Sequence, residues 1–225
     1  MRIFILTLLI IFIGTDVMCQ YTKKNREMYA ARYGIRVSAG AILAREEIVY
    51  IGNLKDEIVH QIQIGKTTPQ YNVGFWASKR FGWLFAETNI LYTNYGVRFD
   101  VTTFKNVGHP LEYLNERFGY IDLQAMGGLT ANNFRIAVGP IMHILAHHKS
   151  ELTSLENSRQ KLRKVSYGFS SAIGYDIGKI ALTLKYDLAF RTVGDHIYYK
   201  YLKSEFFETP DGLTLAIAYS FGKEF

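Results

Sequence analysis

The chain closes with GLTLAIAYSFGKEF, Gly212 to Phe225. Leu213, Leu215, Ile217, Tyr219 and Phe221 share one parity; Thr214, Ala216, Ala218 and Ser220 share the other. Successive side chains of a β-strand point to opposite faces, so the stretch reads as a strand with one apolar, aromatic face and one small, polar face. The rest of the chain decides whether that apolar face turns toward a shared core or away from it.

The same period of two recurs upstream. Tyr33, Ile35, Val37, Ala39, Ala41 and Leu43 oppose Gly34, Arg36, Ser38 and Gly40. Tyr71, Val73, Phe75 and Ala77 oppose Gln70, Asn72, Gly74 and Ser78, and Leu84, Ala86, Thr88, Ile90 and Tyr92 oppose Glu87, Asn89 and Thr93. This third strand is the least clean, because Trp83, Phe85 and Leu91 share the polar parity. Ile121, Leu123 and Ala125 oppose Asp122 and Gln124, and Phe134, Ile136, Val138, Pro140, Met142 and Ile144 oppose Arg135, Ala137, Gly139 and His143. Val165, Tyr167, Phe169, Ile173 and Tyr175 face away from Ser166, Gly168, Ser170, Ala172 and Gly174. Ile180, Leu182, Leu184, Tyr186, Leu188 and Phe190 face away from Thr183, Lys185 and Asp187. With the closing strand these make eight, each near the length of about 9–11 residues that crosses a bilayer at a tilt.

The connectors alternate between short and long. Only KRFG, TANN and DIGK separate the second strand from the third, the fourth from the fifth and the sixth from the seventh, whereas the other gaps are long. Tight turns at one rim and long loops at the other are the signature of a transmembrane barrel. The expected fold is therefore all-β: an eight-stranded antiparallel up-and-down transmembrane β-barrel with short periplasmic turns and long extracellular loops.

The start of the chain fits that location. MRIFILTLLIIFIGTDVMCQ has Arg2, an apolar run from Ile3 to Ile13 and then a more polar stretch, the layout of a secretory signal peptide. Residues 1–19 are expected to be the leader, 20–32 an N-terminal periplasmic segment and 33–225 the barrel. Cys19 is the only cysteine; Met18 stands before it, where a lipid-modified cysteine normally follows a small residue. The net charge of +6 is scattered or sits in polar connectors such as Arg159 to Lys164, and no nucleic-acid motif accompanies it. Export makes outer-membrane lipid and lipopolysaccharide the natural partners of this charge. No apolar segment downstream of the leader is long enough for a membrane helix.

Turned inward, Arg36, Glu87, Asp122, Arg135, Lys185 and Asp187 are expected to pair with one another as a polar filling of the lumen, since eight strands leave an interior just wide enough for side chains. Tyr33, Tyr71, Tyr175, Phe190, Tyr219 and Phe221 are expected in interfacial aromatic belts. The terminal Phe225 resembles the C-terminal aromatic signal that barrel-insertion machinery reads.

YGFSSAIGYDIGKIALTLKYDLAF followed by GLTLAIAYSF, together with LFAETNILYTNYG, resembles the outer-membrane β-barrel proteins of the PorT-like group common in Bacteroidota, of OmpA/OmpX architecture. The group's Gly-rich sixth strand ends G-Y-x-[IF]-G-K, and its chain closes on G-Y-x-F or similar; here Ala218 stands before Tyr219. The resemblance spans residues 33–225 in layout. It implies the bacterial outer membrane and a barrel but no single activity, since members include secretion-associated proteins.

Some outer-membrane barrels are enzymes. In AHHKSE, His148 and Ser150 are similar to the His-x-Ser pair of lipid A deacylases, and a strand would put both on one face. His143, His147 and His148 are candidate metal ligands by type, but no Cys, Asp or Glu stands at convincing spacing. The sequence calls for no catalytic residue, metal or cofactor. The first connector alternates on both arms and reads as a hairpin turning near Gly52-Asn53; the third, Lys149 to Lys164, is polar with helix-compatible residues. The leading expectation is a non-enzymatic barrel with a structural, adhesive or secretion-accessory role, working through its extracellular loops with a surface or secretion-complex partner. The alternatives are a lipid-modifying barrel enzyme and a soluble periplasmic lipocalin-like binder, in which the apolar parity would face inward.

Overall fold

The computed structural model describes residues 31–43, 48–52, 58–104, 111–154, 158–190, 194–199, 202–204 and 211–221. The expected leader, most of the segment expected at 20–32, and Phe225 lie outside the described residues. Among those described, the chain is all-β. Its strands are β1 (Ala31–Leu43), β2 (Ile48–Gly52), β3 (Ile58–Thr67), β4 (Gln70–Phe81), β5 (Leu84–Thr103), β6 (Leu111–Ala131), β7 (Phe134–Ser150), β8 (Ser158–Leu162), β9 (Val165–Ile177), β10 (Ile180–Ala189), β11 (Gly194–Tyr199), β12 (Leu202–Ser204) and β13 (Asp211–Phe221).

Eight of these strands form a closed antiparallel ring in the order β1-β4-β5-β6-β7-β9-β10-β13. Closure is made by β1 against β13, from Tyr33 opposite Phe221 to Leu43 opposite Asp211. Ring neighbours are also neighbours along the chain, so the topology is up-and-down. Three connections are two-residue turns at one end: Gly82-Trp83, Asn132-Asn133 and Gly178-Lys179. In each the first residue alone has positive φ (66°, 52° and 55°), the pattern of a type II′ hairpin turn, whose twist matches that of its strands. Each turn is stitched to the next hairpin: Trp83, Asn133 and Lys179 accept backbone hydrogen bonds from Thr130, Asp176 and Ser220. The short-connector alternation in the sequence therefore maps onto one rim.

At the opposite end several strands run past the ring. The β5 and β6 strands stay paired from Leu84 opposite Leu129 to Thr102 opposite Leu111, so most of the gap read as a long connector is strand. The first connector is a hairpin, as its alternation suggests, with Ile48 opposite Gln63 and Gly52 opposite Ile58. Its second arm, β3, continues along β5 where β4 leaves off. Between them Pro69 has no N–H to give; Thr68 bonds Gly96 instead through both its backbone N–H and its hydroxyl. The third connector departs from its helix-compatible reading. It holds one 3₁₀ turn, Leu152–Ser154, and then β8, which pairs with β11 in a small three-stranded sheet with β12. Strand pairing there outweighs a modest local propensity.

The ring is polar inside and apolar outside. Ile35, Val37, Val73, Ile90, Ile136, Ile173, Leu184, Leu215 and Ile217 are exposed, whereas Arg36, Asn72, Asn89, Asp122, Gln124 and Lys185 are buried. Phe85 and Leu91, which made the third strand irregular, are inside, and so is Trp76. Past the ring the polarity inverts without any change of parity. On β5 the inward side runs from Glu87, Asn89 and Thr93 to Tyr95, Val97, Phe99 and Val101; the outward side runs from Ile90 and Tyr92 to Asn94, Arg98, Asp100 and Thr102. An ordinary apolar core of Ile42, Ile62, Tyr95, Val97, Phe99, Val101, Phe118, Tyr120 and Leu152 thus caps the polar interior.

The seam depends on a residue without a side chain. A Cβ on Gly34 would sit 1.7 Å from the Tyr219 carbonyl oxygen, whereas one on the outward Gly127 would meet nothing within 4 Å. Gly34→Ala should lower the urea-unfolding midpoint by the equivalent of about 1–3 kcal/mol, and Gly127→Ala should leave it unchanged.

Candidate functional site: the interior ion network and the outer rim

The six charged residues expected in the lumen are all buried there, on five strands: Arg36 on β1, Glu87 on β5, Asp122 on β6, Arg135 on β7, Lys185 and Asp187 on β10. Each stands on the inner parity of its strand, which is why an alternating sequence delivers them to one interior. They form separate groups rather than one network.

The largest group centres on Glu87. Its two carboxylate oxygens are shared between Arg36 (Nη1 to Oε1, 2.6 Å) and Arg135 (Nη1 to Oε2, 2.9 Å). Asn89 donates to Glu87 at 3.0 Å and accepts from Arg36 at 2.6 Å. Arg135 continues to Asp176, 3.1 Å away as an ion pair without hydrogen-bond alignment, and Asp176 is in turn 3.1 Å from Arg32. Arg32 then donates to the carbonyl of Gly178 at the rim. The ladder Arg36–Glu87–Arg135–Asp176–Arg32 therefore runs from the interior to the short-turn rim. Aromatic faces complete it: the Arg36 guanidinium lies 5.4 Å from the Trp76 ring centroid and that of Arg135 lies 5.6 Å from Phe85. Arg32, Asn89, Trp76 and Asp176 were not singled out as members of this group from sequence, although Asn89 sits on the same parity as Glu87.

The second group is the pair Lys185 and Asp187, 2.7 Å apart, with Ser170 donating to Asp187. Asp122 departs from the expected pairing: its partners are His143, 2.7 Å away, and the Thr93 hydroxyl, not a lysine or arginine. Asp122 and His143 are directly opposite on β6 and β7, and that register is what joins them. Gln70, Thr93, Tyr95, Tyr120, His143 and Asp187 line a cavity of about 20 Å³, room for about one water molecule, where the polar interior meets the apolar cap.

A β-bulge sets the histidines above it. The β6–β7 register shifts between Gly119 and Tyr120, leaving Ala146 as the extra residue. As a result His143 and His148 both fall opposite inward residues, while His147 lies opposite Gly119 and is exposed. His148 Nε2 is 2.6 Å from the buried carboxylate of Glu116 and its ring packs on Phe118 at 5.0 Å. Ser150 stands directly across from Glu116, and its Oγ accepts from the Leu152 N–H at 3.2 Å. Among the described residues no group of three or more His, Cys, Asp or Glu is arranged to hold a metal ion.

The six aromatics expected at interfaces all point out of the ring and are exposed, from Phe221 at 42% to Phe190 at 63%. Tyr33, Tyr175, Tyr219 and Phe221 lie toward the short-turn rim, Tyr71 and Phe190 toward the other.

No protein-family model matches the chain, and no curated protein is significantly similar to it.

Glu87 is the joint of the ladder. Removing one partner from a buried ion group leaves an uncompensated charge and costs about 3–5 kcal/mol, whereas replacing the whole group with apolar residues of similar volume is often near neutral. Glu87→Gln should therefore lower the urea midpoint more than the triple variant Arg36→Met, Glu87→Leu, Arg135→Met. The reverse order would show that the ladder contributes net stability.

Proposed function

We propose that the chain is a transmembrane β-barrel of the bacterial outer membrane, with its short turns in the periplasm and its long connectors outside. The observation that carries this reading is the inversion on β5. Below Tyr92 the ring turns apolar side chains outward and charges inward; beyond it, in the extension, the same strand does the opposite. Water on both sides of the wall gives no reason for that change, whereas a hydrocarbon slab ending near Tyr92 does. A soluble protein seldom exposes a contiguous apolar patch larger than roughly a few hundred Å², and here exposed apolar side chains occur on all eight ring strands.

Other features agree. In hydrocarbon every backbone N–H and C=O needs a partner, and a closed antiparallel ring supplies it without an edge. Aromatic residues at two levels suit girdles at the two interfaces. A lipocalin-like binder would need the apolar parity inside. The leader-like start supports export, and the short motifs of the sixth, seventh and closing strands support a place among the PorT-like proteins. Side chains fill the ring and an apolar core caps it, so the proposed role is not conduction. It is structural, adhesive or accessory to secretion, exerted by the long-connector end on a surface or secretion-complex partner.

A second reading, a lipid-acting hydrolase, rests on one observation: His148, tied to the buried Glu116, shares a face with Ser150. Unchanged lipid A profiles in His148→Ala and Ser150→Ala strains would remove it.

The membrane reading is tested first by cell fractionation with paired unboiled and boiled gel lanes; an outer-membrane band whose mobility changes on boiling is expected. A site-specific test follows. Ile217→Arg, at mid-belt on β13, should cost roughly 2–4 kcal/mol of folding stability in lipid vesicles, whereas Thr102→Arg, above the belt on β5, should cost about 0–1. Equal, small effects would point to water at both positions.

A further inference from the structure

We propose that the short-turn rim at the closing seam binds anionic phospholipid headgroups between Lys79 and Lys179. This rests on the membrane reading above and adds a site and a ligand chemistry to it.

Four adjacent strands build the site: β4, β1, β13 and β10. Lys79 lies opposite Ala31 on the outer parity of β4. Lys179 is the second residue of the Gly178-Lys179 turn, and its carbonyl accepts from Ser220 on β13. Three strand spacings separate β4 from β10, and the registers set Lys179 level with Trp76, three residues from Lys79, so the two backbones are about 17 Å apart, a gap that two long side chains can span to a shared headgroup. Between them on the outer face lie Tyr33, Phe221 and Tyr219, with ring centroids 6.4 Å and 6.0 Å apart. The three rings are exposed. They continue directly into Ile35, Val37, Ile217 and Leu215, so the surface offers an apolar track ending in two ammonium groups. That sequence of chemistries matches a lipid with acyl chains and an anionic head.

Among the described residues the charge at this rim is one-sided. The Lys79 ammonium lies 5.7 Å from the Phe81 ring and Arg80 folds back on the carbonyl of Gly82. Asp176, the carboxylate nearest the rim among the described residues, is occupied from inside by Arg32 and Arg135. Neither lysine has an ion-pair partner among the described residues. The Asn132-Asn133 turn on the far side of the ring is uncharged. At the opposite end, by contrast, charges of both signs are mixed, as in Arg98 with Asp100 at 3.5 Å. Among the described residues the cationic bias therefore falls on the seam side of one rim, where long stems can keep their charges at the headgroup level.

The chain carries its own reporter. Its two tryptophans are Trp76, buried inside the ring, and Trp83, 65% exposed on the turn that closes the Lys79 hairpin. The full chain is refolded into phosphatidylcholine vesicles containing a small fraction of brominated phosphatidylglycerol or brominated phosphatidylcholine, and Trp fluorescence is recorded. Stronger quenching by the anionic lipid is expected. That preference should fall at least roughly fivefold in Lys79→Gln/Lys179→Gln and persist in Lys79→Arg/Lys179→Arg. Equal quenching by both lipids would overturn the headgroup site and leave the membrane span standing. A preference unchanged in the double Gln variant, with its boiling-dependent gel shift intact, would also overturn it. No quenching by either lipid would overturn the span itself.

Discussion

The structure depends on the closing of β1 against β13. Without that seam the sheet would have two free edges, each a row of unpaired backbone groups. With it, every ring strand has a partner on both sides, and apart from the shift at the β7 bulge each residue is assigned to an inside or an outside by parity. The close approach at the seam explains why Gly34, opposite Ser220, carries no side chain. Closure also creates the problem that the ion ladder solves. An eight-stranded ring has an interior too narrow for bulk water to solvate many charges, so the arginines brought there by alternation need carboxylates beside them. Glu87 between Arg36 and Arg135, and Asp176 between Arg135 and Arg32, meet that need.

The proposed membrane setting gives the two halves of the molecule a common logic. In that setting hydrocarbon would lie outside the wall at the belt, which is why the apolar parity faces out and the polar parity is buried. Past the proposed belt water would bathe the wall, and there the same strands carry an apolar core of Phe99, Phe118 and Ile62 inside with Arg98 and Asp100 outside. The cavity bounded by Tyr95, Tyr120, His143 and Asp187 marks the boundary between these regimes. The aromatic contacts of Tyr95, Phe118 and Tyr120, at 5.3–6.1 Å, close the polar interior from the long-connector end.

Much of this was legible from spacing. Ring parity, the three turns, and the grouping of the six charged residues on one face and of the aromatics on the other all follow from alternation and spacing. The extension of β5 and β6 was not read as strand, because the apolar parity of Val97, Phe99 and Val101 is out of phase with that of Ile90 and Tyr92. A single amphipathic template treats that shift as a strand end, although the backbone runs straight through it. The partner of Asp122 was missed for a different reason. His143 stands on the right parity, but pairing needs the register of β7 against β6, and an apolar-polar pattern does not specify a register residue by residue.

By itself the sequence determined which side chains share a face, where the chain turns back and which rim holds the short turns, because these are local properties of alternation and of residues such as Gly82, Asn132 and Gly178 that accept positive φ. Only the tertiary structure decided which face is inside, how the charges are partnered and where the polarity inverts. Closure determines inside and outside for all strands at once. Partners such as Arg36 and Glu87 are 51 residues apart in the chain, and they meet only through cross-strand registers that the whole ring sets together.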